Sequence, residues 1–158
     1  MREIRNDADL EKLLEELIGE ALDDTAEEVL ELFLTKYIDK FAYIKNPKEY
    51  SRTLEFRNSW EFSDLKRVAM SLSRELWFNP ANMKTFNPKK FQHGSKYSSP
   101  NDIRDNLPAI LEGKRSSLWI SVERKVKFWE KFVEDMIDRG KLERIITRHL
   151  SKRGIRRV

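Results

Sequence analysis

Residues 6–41 read NDADLEKLLEELIGEALDDTAEEVLELFLTKYIDKF. Within this stretch apolar side chains recur every three or four residues from Leu10 to Phe41, and acidic side chains fill most positions between them. A hydrophobic rhythm of about 3.6 residues is typical of an amphipathic α-helix. The stretch therefore predicts one long N-terminal helix with an acidic solvent face. The acid pairs predicted on that face are Glu15-Glu16, Asp23-Asp24 and Glu27-Glu28.

The ends of this helix carry recognisable signals. Asn6 is a candidate N-cap, with Asp9 three residues on in the manner of a capping box. Gly19 and the stretch Asp23–Thr25 are potential breaks, but the apolar stripe resumes in phase beyond them. The sequence predicts a single helix that begins after Asn6 and ends before Pro47, with two shorter helices as the alternative.

The length of the helix carries an argument about assembly. A helix of roughly 39 residues spans roughly 58 Å, whereas a compact domain of this chain length has a radius of gyration of about 15 Å. Such a domain is too small to cover the whole helix. One end is expected to project and to need a partner, unless the helix is broken.

Composition restricts the domain organisation and the chemistry. The length of 158 residues predicts a single domain, 1–158. Since 39% of the residues are hydrophobic and 37% are charged, we expect this domain to have a core and a heavily solvated surface. Cys is absent, which excludes disulfides, thiolate zinc sites and Cys nucleophiles. Of the two His, His93 and His149, the second is expected to pack or to lie at the surface rather than to bind a ligand.

Motifs for catalysis and cofactor binding are also missing from the sequence. It contains neither a GxxxxGK[ST] nor a GxGxxG phosphate loop. A run of about 18 apolar residues and an apolar leader are likewise absent, so membrane contact is not expected. We predict a protein that is not an enzyme and that uses no metal and no cofactor.

Charge is distributed unevenly along the chain. Residues 1–31 hold twelve acids against three bases, whereas residues 114–158 hold fourteen bases against six acids. Such separation of charge along the chain favours oriented docking or nucleic-acid contact. The alternative interpretation is that each charged run is the solvent-exposed face of a helix.

The middle of the chain has a different pattern. Thr53, Phe56, Trp60 and Phe62 lie in an extended-looking stretch, and residues 68–72 alternate apolar and small side chains as in a half-buried strand. Residues 79–101 are rich in Asn, Pro, Ser and Gly, which predicts a long loop suited to partner contact.

Helical signals return in the last third. Ser99, Pro100 and Asp102 are typical of a helix start, and Gly113 of its end. A further helix is predicted to stop at Gly140, and the last one to close at Gly154. The buried stripe of the first of these two consists of Val122, Val126, Trp129, Val133, Met136 and Ile137. The fold class predicted is α+β, with a long N-terminal helix packed on a small, mostly antiparallel sheet, followed by C-terminal helices.

A basic region near the C-terminus suggests the alternative function, a basic nucleic-acid-binding module. Trp119 and Trp129 lie among the bases, although Trp129 and Phe132 also fit a buried stripe. The basic residues expected to face DNA or a partner are Lys114, Arg115, Arg124, Lys125, Arg153, Arg156 and Arg157.

Residues 50–60, YSRTLEFRNSW, resemble the R-T-G-x-L-x-x-S signature of the tail-completion and head–tail joining (neck) proteins of tailed double-stranded-DNA bacteriophages. Leu54 stands where the signature has Gly, and Leu avoids the positive φ that Gly allows. The order of elements is also similar, including Glu112-Gly113 after a short helix. The residues assigned to the motif, in a structural or interface role, are Arg52, Thr53, Phe56, Asn58, Ser59 and Trp60.

The resemblance implies a structural protein of the virion neck. Such a protein would be made in the host cytoplasm and would assemble as a ring of six copies that joins the head-side connector to the tail. Its partners would be copies of itself, the connector, and the tail terminator or tail tube. Basic residues in the ring lumen would contact genomic DNA without reading its sequence.

Overall fold

A long helix frames the fold, as the sequence predicts. The structure, a computed structural model, describes residues 6–42, 54–69, 71–84, 104–105, 107–112 and 127–155. Helix α1 runs over Asp7–Leu32 and continues as a π-helical segment, Phe33–Ala42. The side chain of Asn6 accepts a hydrogen bond from the Asp9 N–H at 2.9 Å, which confirms the predicted N-cap. The helix is unbroken at Gly19, so the two-helix alternative is wrong over the described residues.

A bulged β-hairpin follows the helix. Strand β1, Trp60–Phe62, pairs antiparallel with β4, Leu76–Phe78. Nested within them, β2, Lys66–Val68, pairs antiparallel with β3, Ser71–Ser73. The two registers leave three residues, 63–65, opposite two, 74–75, which is the arrangement of a β-bulge.

The predicted strand over residues 68–72 is wrong, because the chain reverses inside it. Val68 pairs with Ser71 across a two-residue turn, and Leu72 pairs with Arg67. Directly opposed residues share a face of a sheet, so Val68 and Leu72 fall on opposite faces. Val68 is 69% exposed.

Ala69, the first residue of that turn, has a φ of 52°, in the left-handed region that an L side chain enters at a cost of about 1–2 kcal/mol. We expect Ala69→Gly to raise the free energy of unfolding by about 0.5–1 kcal/mol, measured by urea denaturation. Ser71→Gly, a matched change in the adjacent strand, is expected to lower it. A destabilised Ala69→Gly variant would contradict the assignment of this turn.

The segment before β1 is helical rather than extended. Helix α2, Glu55–Asn58, is a single turn closed by the Asn58 N–H on the Leu54 carbonyl at 2.9 Å. Leu54 has a φ of 59°, so the left-handed conformation expected only of Gly is adopted by Leu. The expectations for Phe56 and for Leu54 were therefore wrong, since packing of Phe56 in the core outweighs the local backbone preference.

Short elements connect the hairpin to the C-terminal helices. A 3-10 turn, Pro80–Asn82, begins the predicted loop, and the Asn79 side chain accepts from the Ala81 N–H at 3.1 Å. Residues 85–101 of that loop, the predicted helix start at Ser99 and the predicted stop at Gly113 lie outside the described residues. Helix α3 covers Leu107–Leu111.

The last two helices are joined at Gly140. Helix α4, Phe128–Val133, continues as a second π-helical segment, Glu134–Asp138, and α5 covers Lys141–Lys152. Gly140 and Gly154 have φ values of 63° and 81°, which confirms both predicted stops. Ile137 was wrongly predicted to be buried. Met136, predicted on the same stripe, is buried, whereas Ile137 is 59% exposed, because a stripe predicted for 3.6 residues per turn does not hold in the wider π-helical turn.

The core is a cluster of aromatic side chains between these elements. Phe33, with no exposed surface, lies edge-on to Trp60 and to Phe132, with ring centroids 4.8 and 4.7 Å away. Aliphatic residues such as Val29 and Ile145 extend the same cluster. The architecture is α+β, with the long helix, the antiparallel hairpin and the C-terminal helices sharing this core.

Candidate functional site

Three of the predicted motif residues help to build the core. Phe56 and Trp60 are each 7% exposed and pack edge-on to Phe128. Ser59 is fully buried, and its hydroxyl donates to the Glu55 carbonyl at 2.6 Å. Asn58 is exposed, while Arg52 and Thr53 lie outside the described residues. The part of the motif that the structure describes therefore supports the fold.

The tryptophan of the basic region also belongs to the core. Trp129 stacks on Trp60, with centroids 5.6 Å apart and planes at 18°. Its ring also meets Phe33 edge-on. Trp129 is partly buried, and the ring face that Trp60 covers is not available for stacking on nucleic-acid bases; Trp119 lies outside the described residues.

Arg153 is the one predicted DNA- or partner-facing base that lies within the described residues. Its side chain is 16% exposed, and its guanidinium donates to Glu20 Oε2 at 3.2 Å and to Asp24 Oδ2 at 2.8 Å. It also bonds the carbonyls of Glu20 and His149. Arg153 thus fastens the end of α5 to α1. The other six predicted bases lie outside the described residues: Lys114, Arg115, Arg124, Lys125, Arg156 and Arg157.

The interface between α1 and α5 is strongly charged. Arg148 is paired with Glu28, and the buried His149 lies between Glu28 and Asp24. The hydrogen bond from Arg153 lowers the pKa of Asp24, and that from Arg148 lowers the pKa of Glu28. These carboxylates stay ionised well below neutral pH. The pairing therefore persists until strong acidification.

The hairpin also contributes cations to the acidic face of α1. Arg67 lies 2.5 Å from Glu15, and Arg74 lies 2.5 Å from Asp23. The prediction that the paired acids simply face solvent is therefore wrong for at least half of them. Four of these acids are partly covered and paired within the chain, namely Glu15, Asp23, Asp24 and Glu28. The charge asymmetry of the sequence is thus partly neutralised by folding.

The first turns of α1 are covered only in part. No residue from Asp7 to Ile18 is buried, whereas Gly19, Ala21 and Val29 are. Two leucines of these turns are exposed, Leu10 at 42% and Leu14 at 40%, and the hairpin has exposed apolar side chains of its own at Leu65, Val68 and Trp77. Leu10 and Leu14 are four residues apart and share one face of α1, and we call this pair the N-terminal apolar surface. Leu65 packs beside Gly19 on another side of α1, where an added Cβ would lie 3.3 Å from it.

A cleft of about 600 Å³ opens beside His149, along the second half of α1 and the start of the π-helical segment that follows it. Its walls include Glu27, Glu31, Thr35 and Lys36.

Within the described ranges, no group of three or more His, Asp or Glu side chains is arranged to hold a metal ion. Among the helices that the structure describes, none has the length and apolar character needed to cross a bilayer.

Sequence reasoning missed two contributors to this arrangement. Glu112 is 8% exposed, and its Oε1 accepts from the N–H groups of Trp129 and Glu130 at 2.6 and 3.2 Å, so it caps the start of α4. The contact of Leu65 with α1 beside Gly19 was not identified either. Neither had a local signal, because each role depends on a neighbour brought close by the fold.

Compared with protein families, curated proteins and solved structures, this chain matches none.

Proposed function

We propose that the protein is a structural component of a bacteriophage neck, joining the head-side connector to the tail as part of an oligomeric ring. The observation that carries this proposal is the N-terminal apolar surface. Its two leucines, 42% and 40% exposed, lie side by side in the first turns of α1. Exposed apolar side chains gathered in one region are typical of protein–protein contact.

The charges of α1 support the same role. Arg67, Arg74 and Arg153 neutralise part of the acidic face from within the chain, so less charge repulsion opposes the approach of another subunit to the exposed leucines. The function is then geometric: the exposed leucine face of the first turns of α1 contacts the neighbouring subunit or the adjoining ring. It includes no catalytic step and needs no cofactor. The choice of a phage neck as the assembly rests on the resemblance of residues 50–60 to the neck-protein signature.

The decisive measurement is the mass of the full chain in solution, by light scattering or native mass spectrometry over a range of concentrations. We expect wild type to form oligomers and Leu10→Gln/Leu14→Gln to dissociate at concentrations at least about tenfold higher, because two apolar anchors are lost. Electron microscopy of particles that contain the protein should locate it between head and tail.

A matched control is available on the same helix turns. Glu11→Gln/Lys12→Gln changes two exposed side chains, leaves the net charge unaltered as the leucine pair does, and should assemble like wild type. A wild-type chain that stays monomeric, or leucine variants that assemble normally, would contradict the proposal. A monomer that binds DNA with steep salt dependence would favour the nucleic-acid-binding alternative.

A further inference from the structure

The N-terminal apolar surface lies on the side of α1 along which α5 packs. Leu10 and Glu28 are eighteen residues apart, which is about five helical turns, so both point in the same direction. Glu28 is paired with Arg148 of α5. Leu14 stands seven residues, about two turns, before the buried Ala21. The surface is therefore the N-terminal continuation of the face that α5 covers.

Helix α5 ends before it reaches the two leucines. It runs antiparallel to α1, because Arg148 pairs with Glu28 whereas Arg153, further along α5, pairs with Glu20. Among the described residues, the last ion pair between the two helices is the one at Glu20, about three turns from Leu10. The same face of α1 thus has room for a second helix, placed end to end with α5.

The charges around the two leucines select a basic partner. Residues 7–20 contain six acids and one base. Asp7 and Glu11, both exposed, each lie three residues before one of the leucines and are its neighbours on the helix surface. The base, Lys12, is two residues from Leu10 and from Leu14, a spacing that places it away from both. A second copy of this acidic face would be repelled, whereas a basic helix would be attracted.

The fold already contains one helix of the kind that fits. Residues 141–153 hold five bases against one acid. Two of these bases, Arg148 and Arg153, pair with carboxylates of α1, while Ile145 of the same helix is buried in the core. Within the chain, this face of α1 therefore accepts a basic amphipathic helix.

We propose that the N-terminal apolar surface is a docking site for a basic amphipathic helix of a neighbouring chain. That helix lies end to end with α5 and repeats its contacts. Its apolar side chains pack on Leu10 and Leu14, and its Lys or Arg side chains pair with Asp7 and Glu11. The inference rests on the proposed function, since it names the chemistry of the partner that this surface takes in the assembly.

The test titrates the full chain with a synthetic peptide at low ionic strength, at a dilution where mass measurement gives single chains. Thermophoresis followed by the four tryptophans of the chain reports binding. The lysine peptide has leucines every three or four residues and lysines between them, and the glutamate peptide has glutamate for each lysine. We expect wild type to bind the lysine peptide at least about tenfold more tightly than the glutamate peptide.

Leu10→Gln/Leu14→Gln should bind the lysine peptide at least about tenfold more weakly than wild type, because two apolar contacts are lost. Val68→Gln/Ile137→Gln is the matched control, since it replaces two exposed apolar side chains in the hairpin and in the second π-helical segment, and it should bind like wild type. Equal binding by the leucine variant and wild type would mean attraction to charge alone. Equal binding of the two peptides would mean apolar contact alone, and either result would overturn the proposal.

Amide hydrogen exchange of wild type covers the case in which the leucine variant does not fold. The lysine peptide should slow exchange in residues 7–18 and leave the hairpin strands unchanged, and unaltered exchange in residues 7–18 would refute docking there. A chain that assembles but does not bind the lysine peptide would overturn this inference alone. A chain that binds the peptide but stays monomeric at every concentration would overturn the ring alone.

Discussion

Replacing Phe33 with alanine is expected to lower the free energy of unfolding by about 3–5 kcal/mol. Phe33 has no exposed surface and its ring contacts Trp60, Trp129 and Phe132. Removing it leaves a cavity at the point where α1, the hairpin and α4 meet. Since small domains are stable by only about 5–15 kcal/mol, the loss is a large part of the total. Urea unfolding followed by circular dichroism and tryptophan fluorescence measures it.

Phe33→Leu is the control for this prediction. Leucine fills much of the same volume, so we expect a loss of about 1–1.5 kcal/mol. If Phe33→Ala lowered the free energy of unfolding by less than about 1–1.5 kcal/mol, the aromatic cluster would not depend on its central ring. An unchanged fluorescence spectrum in Phe33→Ala would also argue against the contacts with Trp60 and Trp129.

The second large effect is expected at Glu112. Alanine at this position removes the carboxylate that caps α4, leaving the N–H groups of Trp129 and Glu130 without that acceptor. Loss of a cap costs about 0.5–2 kcal/mol, and a buried donor left unsatisfied costs about 1–3 kcal/mol. We expect Glu112→Ala to lower the free energy of unfolding by about 2 kcal/mol, measured by the same denaturation method.

Two variants separate the cap from a general charge effect. Glu112→Gln retains an acceptor oxygen and should lose less than Glu112→Ala. Glu130→Ala removes a carboxylate that is 58% exposed and paired with Lys127, and exposed pairs are worth about 0–1 kcal/mol. A loss in Glu130→Ala as large as that in Glu112→Ala would show that the effect is not specific to the cap.

Sequence reasoning succeeded where a signal lies within a few residues of its effect. The Asn6 cap, the unbroken course of α1 past Gly19 and the stops at Gly140 and Gly154 were all predictable, because capping and left-handed helix ends involve neighbours in sequence. Burial of Phe132 followed from the same kind of local pattern. The α+β class also followed from local patterns.

Positions decided by distant contacts were predicted less well. The turn at Ala69 and the left-handed Leu54 lack the residues usually found in such conformations. Both conformations are supported by pairing and packing elsewhere, in the hairpin strands and around Phe56. Local preference is worth about 1–2 kcal/mol at such a residue, which tertiary contacts readily exceed.

The acidic face of α1 shows the same division most clearly. Sequence alone determined that a long amphipathic helix exists, where it starts and which of its positions are acidic. Only the tertiary structure decided that Arg67, Arg74 and Arg153 would cover part of that face, that His149 would lie between two carboxylates, and that Leu10 and Leu14 would stay exposed. The physical reason is that helix periodicity is set by hydrogen bonds four residues apart, whereas an ion pair between Asp24 and Arg153 depends on how the intervening 128 residues fold back on α1.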